Sequence, residues 1–196
     1  MSRQVQLCRR TAETEIELAL NLDGQGRGDI ATGIGFFDHM LILLAKHALF
    51  DLTVKAQGDL AVDGHHLVED VGIVLGRALR QALGDGCGLT RYGWALVPMD
   101  EALAQTAIDL GGRVYLSYEV ELGGGRSGDF EPELCEEFLR ALVNNAQINL
   151  HLHLLSGGNT HHALEACFKS IARALRIAVA PEPREVGIPS TKGVID

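Results

Sequence analysis

The sequence predicts an α+β fold made of two tandem copies of one unit. Three observations predict it. His65-His66-Leu67-Val68-Glu69 returns as His161-His162-Ala163-Leu164-Glu165, a spacing of 161 − 65 = 96 residues. Arg77-Ala78-Leu79-Arg80 returns as Arg173-Ala174-Leu175-Arg176 at the same 173 − 77 = 96. Around both echoes, stretches of strand period mix with stretches of helical period, without strict β-α alternation. Each unit reads as strands, helix, strand, helix, with its two helices covering one face of a mixed sheet. The units divide as residues 1–93 and 94–196 within a single compact domain.

The elements follow in order. Residues 14–22 alternate polar and apolar, a half-buried strand. Asp23-Gly24-Gln25-Gly26 reads as a hairpin-type turn. A short strand follows through Ile30, with Gly33 and Gly35 as breakers. Phe36–Phe50 is apolar over a helical length, a buried helix that carries Asp38, His39 and His47. Residues 51–57 alternate again. Asp63 or Gly64 caps a helix over 65–83, which Gly84-Asp85-Gly86 ends. In the second unit, strands fall near 94–99, 102–110 and 113–121. Residues 123–128, rich in glycine, lack the spacing of a phosphate loop and read as a flexible hairpin connection. Pro132 opens a helix to about Gln147, strand 148–155 follows, and Asn159 caps a last helix to about Val179. Residues 181–196 have no apolar period and read as an extended tail.

Composition narrows the function. A 196-residue chain with 46% hydrophobic residues can pack one core. Its net charge of −9 argues against nucleic acid or an anionic membrane as partner, but not against a small anion met by a local basic cluster. The first ten residues hold no apolar leader segment, and no apolar run approaches the ~20 residues of a membrane span. Four cysteines without C-x-x-C spacing fit a reducing, cytoplasmic setting.

The repeated motif points to metal. On a helix, residues i and i+4 stand roughly 5–6 Å apart on one face, so His65 with Glu69, and His161 with Glu165, can each converge on a cation. His66 points about 100° away from His65, given ~3.6 residues per turn, so each doublet serves two ions. A single doublet is more often a surface feature. Its recurrence in register with the Glu retained favours the metal. Asp70 is not repeated and reads as a second-layer or helix-dipole partner. His39 stands beside Asp38, a candidate partner. His151 and His153 share one strand face, and either can be a ligand. Such nitrogen-rich, sulfur-free sites suit Mn, Fe, Co or Zn, and open coordination positions favour catalysis over a structural role. Arg91, Arg113, Lys169 and Lys192 are candidate clamps for a phosphate, though each alone reads as ordinary surface.

Seven segments carry a resemblance: Arg10-Thr11-Ala12-Glu13-Thr14, Gly35-Phe36-Phe37-Asp38-His39-Met40-Leu41, both His-His-x-x-Glu motifs, Asp100-Glu101-Ala102, Asp109-Leu110-Gly111-Gly112-Arg113 and Pro189-Ser190-Thr191-Lys192-Gly193-Val194. On these the chain resembles the imidazoleglycerol-phosphate dehydratase family over nearly its whole length. The resemblance implies two repeated units of the ribosomal protein S5 domain 2-like kind, in a 24-subunit shell with active sites between subunits. It implies two Mn²⁺ per site, one held by His65, Glu69, His161 and Glu165, the other by His39, His66, His151 and His162. It implies Glu13 as an active-site acid, and Arg91, Arg113, Lys169, Ser190 and Lys192 as substrate contacts, mainly to phosphate. Leu43 stands where the family usually has Gln, and Val114 where many members have Pro.

The implied reaction removes water from the glycerol chain of imidazole glycerol phosphate, giving imidazole acetol phosphate in histidine biosynthesis. Metal on both ring nitrogens favours an imidazolate that expels the neighbouring hydroxyl through a diazafulvene. A carboxylate is the natural proton shuttle: Glu13 first, with Glu69 or Glu165 sharing the work. Two other classes compete. A ferritin-like store uses Glu-x-x-His on facing helices without strands. A binuclear phosphate-ester hydrolase would share the metal and the clamp, and release phosphate.

Overall fold

Alternation at strand period builds two four-stranded sheets in the computed structural model, which describes residues 3–195. The first holds β1 (Gln4–Arg10), β2 (Thr14–Asn21), β3 (Gly28–Ala31) and β4 (Asp51–Gly58) in the order β1-β2-β4-β3. The second holds β5 (Tyr92–Met99), β6 (Ala102–Asp109), β7 (Tyr115–Glu119) and β8 (Asn149–Ser156) in the matching order β5-β6-β8-β7. Only the last pair of each sheet is parallel, so both sheets are mixed.

Helices α1 (Gly35–Ala48) and α2 (His65–Leu83) lie on the first sheet, and α3 (Leu134–Ala146) and α4 (Thr160–Ala178) on the second. Across the middle, α1 packs on α4 and α2 on α3, giving a β-α-α-β stack with one core shared by both halves. The periodicity dictates this. Ile16, Leu18 and Leu20 of β2 and Leu52 and Val54 of β4 point inward and are buried, while their neighbours face out. Burying a side chain of that size is worth about 1.5–3 kcal/mol, so the alternation fixes which face each sheet covers. The two equivalent helices α1 and α3 end alike, with Leu49 (φ 60°) and Gln147 (φ 55°) in the left-handed region that usually takes glycine.

Two glycines let α2 lie directly on α3. A Cβ on Gly72 would stand 2.6 Å from the Phe138 carbonyl oxygen, and one on Gly76 2.5 Å from that of Leu142. Neither position admits a side chain without moving a helix.

Several expectations need correction. Asp23–Gly26 is a turn but not a hairpin, because β3 pairs parallel with β4 rather than with β2. The Asp51 carboxylate organises it, accepting the N–H groups of Gln25 and Arg27. The glycine-rich segment leads from β7 into α3 and so does not connect two strands of the sheet; it makes one tight turn with an antiparallel bridge between Ser127 and Phe130, and Gly124 offers its carbonyl to Thr160 Oγ1. Strand β1 was not anticipated, since only Val5 of its seven residues is buried and charged residues fill its far end. The tail is not simply extended: its turns seat it on the 87–91 loop, through Gly88 N–H to the Gly187 carbonyl and Glu182 N–H to the Gly88 carbonyl.

Candidate active site

The site begins with two helix starts. Gly64 precedes α2, with Asp63 accepting the His65 N–H at 2.8 Å, and Asn159 caps α4 by accepting the His162 N–H at 3.2 Å. Each start presents a histidine doublet whose rings stand nearly perpendicular, at 88° and 85°. Consecutive residues diverge around a helix, so the two rings of a doublet address different points.

On α4, the outer pair closes on a third group. His39 Nε2 and His161 Nε2 both lie 3.3 Å from one oxygen of Glu165, and the three ligand atoms fall within 4.8 Å of one another. The other Glu165 oxygen meets Lys169 Nζ at 2.5 Å. Burial pushes the Glu165 carboxyl up, but Lys169, then His39 and His161, outweigh it and hold the group below its ordinary value. Packing places these rings: Phe36 meets His161 edge-on at 5.1 Å and is backed by Phe130, which is fully buried.

The inner histidine of each doublet has a carboxylate on Nδ1. His66 Nδ1 lies 3.0 Å from Asp59 and 3.8 Å from Glu13, and His162 Nδ1 lies 2.8 Å from Glu101. Asp59 raises the His66 pKa and Glu101 that of His162, while His162 lowers the Glu101 carboxyl to about 2. Asp59 and Glu101 are site residues that the sequence pattern does not reveal. Asp59 lies in the loop between β4 and α2 and Glu101 in the turn between β5 and β6, outside every periodic stretch, so periodicity gives no signal.

The other expected ligands are not drawn together within one chain. His65 and Glu69 join no ligand group among the described residues. His151 is exposed on the outer face of the second sheet, opposite the helices, beside Tyr115 at 5.3 Å. His153 faces Glu119 at 3.3 Å.

Three of the four basic candidates converge elsewhere. Arg91, Arg113, Ser190 and Lys192 line a cavity of about 720 Å³ between the 90–92 segment and the tail. Arg91 is already engaged, with Nε and Nη2 on Asp109 at 2.7 and 3.1 Å and Nη1 on the Pro189 carbonyl at 2.7 Å. Its cation is balanced by Asp109, and it anchors the tail. Lys169 is absent from this cavity and belongs to Glu165. Ser190 Oγ accepts the Lys192 N–H at 3.2 Å, which holds the tail's turn.

Two acids have other duties than the sequence suggested. Asp38 does not serve His39: it accepts the N–H and hydroxyl of Thr32 at 2.9 and 2.5 Å, bracing the start of α1. Asp70 is buried and accepts from Arg9 at 2.8–2.9 Å and from the Thr14 hydroxyl at 2.5 Å, tying α2 to β1 and β2 rather than backing a ligand. Leu43 packs half-buried against the core, and Val114 is exposed. No helix is long and apolar enough to cross a membrane among the described residues.

Comparison with known proteins adds relatives to this geometry. The family model described as imidazoleglycerol-phosphate dehydratase matches residues 32–175. The imidazoleglycerol-phosphate dehydratase of Acidiphilium cryptum is 57% identical over 196 residues, and that of Granulibacter bethesdensis 58% over 197, each covering 100% of both chains. Among solved structures, the Staphylococcus aureus enzyme of that name superposes with a TM-score of 0.83 at 42% identity, covering 91% of this chain and 99% of its own. The Pyrococcus furiosus enzyme gives 0.83 at 37%, covering 96% and 99%.

Proposed function

The chain belongs to the imidazoleglycerol-phosphate dehydratase family, and from that premise we propose that it is the hydro-lyase that converts D-erythro-imidazole glycerol phosphate to imidazole acetol phosphate in histidine biosynthesis. One observation carries the reading. Two imidazole Nε2 atoms from different halves of the chain share a single Glu165 oxygen at 3.3 Å, a group that would receive a cation and that sets His39 beside His161 within one chain, not on the other ion as the resemblance implies. The donor set fits Mn²⁺: imidazole and carboxylate, with no sulfur. His39, His65, His66, His151, His161, His162, Glu69 and Glu165 would hold two such ions per active site. When bound, the ions supply Lewis acidity that lowers the cost of deprotonating the substrate's imidazole ring.

The chain's own groups do the rest. The exposed Glu13 carboxylate stands at the mouth of the His66 cluster, free to take a proton from the glycerol chain and return one. The cavity lined by Arg113, Ser190 and Lys192 receives the phosphate, with Arg91 holding the tail that closes it. Lys169 keeps Glu165 ionised and ready as a ligand. Glu69 and Glu165 are secondary candidates for proton transfer.

The site needs more than one chain in this reading. His65 and Glu69 join no ligand group of three among the described residues, and His151 projects from the face where Trp94, Leu96, Tyr115 and Leu155 are exposed. Both features support a homo-oligomer with sites at the interfaces; its size of 24 subunits and its cytoplasmic setting rest on the family resemblance alone. The test is incubation with imidazole glycerol phosphate and Mn²⁺. A ketone without free phosphate supports the dehydration; free phosphate would move the reading to a hydrolase.

A further inference from the structure

The duplication extends to the acids around the doublets. Glu13 directly precedes β2 and Glu101 directly precedes β6, and 101 − 13 = 88 equals 102 − 14 = 88, the offset between the two strand starts. The two strands also match in burial, each starting on a buried residue and alternating from there. Glu13 and Glu101 are therefore counterparts, and each approaches Nδ1 of the second histidine of its own unit. Their distances differ. Glu101 Oε2 is at 2.8 Å from His162, whereas Glu13 Oε2 stands off at 3.8 Å from His66. In the first unit the near place is taken by Asp59, at 3.0 Å.

Asp59 has no counterpart. The helix offset of 96 leads to Leu155, and the offset between β4 and β8, 149 − 51 = 98, leads to Gly157. At Nδ1 the second unit has one acid where the first has two, and Asp100 stands instead 3.8 Å from Nε2 of His162. Glu101 is also fixed from its other side, since Oε1 accepts the Asn159 N–H at 2.8 Å at the start of α4. Its carboxylate thus holds both the helix start and the ring.

We propose that Glu101 and Asp59 are the positioning residues of the two inner histidines, and that Asp59, by taking over this task in the first unit, frees Glu13 for proton transfer. A neutral imidazole carries one N–H and one bare nitrogen. A carboxylate on Nδ1–H selects the tautomer whose Nε2 is the ligand atom and fixes the ring's orientation. A pair of equivalent acids has thereby split into one that holds and one that reacts. This rests on the reading of His66 and His162 as Mn²⁺ ligands.

The test titrates metal-free protein with Mn²⁺ and reads free Mn²⁺ by its electron paramagnetic resonance signal. Glu101→Gln and Asp59→Asn should each weaken binding about 10–100-fold, the usual cost of losing such a partner. Glu13→Gln should bind as the unaltered chain does. Glu101→Gln should add nothing to the loss caused by His162→Ala, because it acts through that ring. Unchanged affinity in both Glu101→Gln and Asp59→Asn, or a further loss on combining Glu101→Gln with His162→Ala, would overturn the proposal. Should Glu101→Gln fail to fold for want of its Asn159 contact, Asp59→Asn carries the test alone. Failure of the unaltered chain to bind Mn²⁺ at all would instead remove the metal reading beneath it.

Discussion

Replacing Asp70 with alanine separates a brace from a metal-site residue. The Asp70 carboxylate accepts a hydrogen bond from Arg9 Nε and one from the Thr14 hydroxyl and pairs with Arg9 Nη2 at 2.8 Å, and only a tenth of its side chain is exposed. Removing one partner of a buried pair costs about 3–5 kcal/mol. Two features reduce this. Arg9 is 29% exposed and keeps access to water, and the Thr14 hydroxyl retains Thr11 Oγ1 at 3.1 Å. The expected loss is therefore about 2–3 kcal/mol, near the value of one or two charge-assisted hydrogen bonds. For a chain of this size that lowers Tm by about 5–10 °C. The assay is a thermal melt of metal-free protein at fixed concentration, paired with a Mn²⁺ titration. Asp70→Ala should melt earlier and bind Mn²⁺ as the unaltered chain does. A melt shifted by less than about 2 °C would show that the brace contributes little. Weakened Mn²⁺ binding in a folded variant would return Asp70 to the metal site.

Glu13→Gln should keep fold and metal affinity and lower kcat by about 10²–10⁴-fold, the usual worth of one proton-transfer group; near-normal turnover would exclude Glu13. Arg91→Ala should both raise KM and expose the tail to limited proteolysis, because it loses the Pro189 carbonyl, whereas Arg113→Ala should raise KM with the tail still protected. Asp51 is held below the ordinary carboxylate range, chiefly by Arg27 and then by the Gln25 N–H. A depressed folded pKa stabilises above the unfolded value of about 3.9 and loses that contribution as pH falls below it. Asp51→Asn should therefore lower the urea midpoint at neutral pH and flatten its acid limb; an acid limb as steep as before would show that Asp51 does not titrate as described.

Much of this molecule was legible because its apolar periodicity is strong. The 96-residue echo placed α2 and α4 with both doublets at their starts, and alternation placed β2, β4, β6 and β8. Pairing was less legible. Nothing in Asp23–Gly26 says that the strand after it will join β4 in parallel, because that choice is made by α1 returning the chain across the sheet. The edge strand β1 hid behind its charges. Among site residues, the i to i+4 pairs were visible, but Asp59 and Glu101 reach their histidines across loops, and loops carry no period. Asp38 and Asp70 were adjacent in sequence to candidate ligands yet point elsewhere, since neighbours on a helix diverge by about 100°.

The glycine contact between α2 and α3 has a consequence for how the first doublet is held. At Gly72 and Gly76 the main chain of α2 comes up against the Phe138 and Leu142 carbonyls, with the Cβ atoms of Ala141 and Asn145 beside them. The helix that carries His65 and His66 therefore sits on a hard stop. A methyl group at either glycine would meet a backbone carbonyl of α3 at 2.5–2.6 Å and force the two helices apart. The position of the candidate ligands His65 and His66 is in this sense gauged two and three turns away, by a place where the chain has no side chain at all.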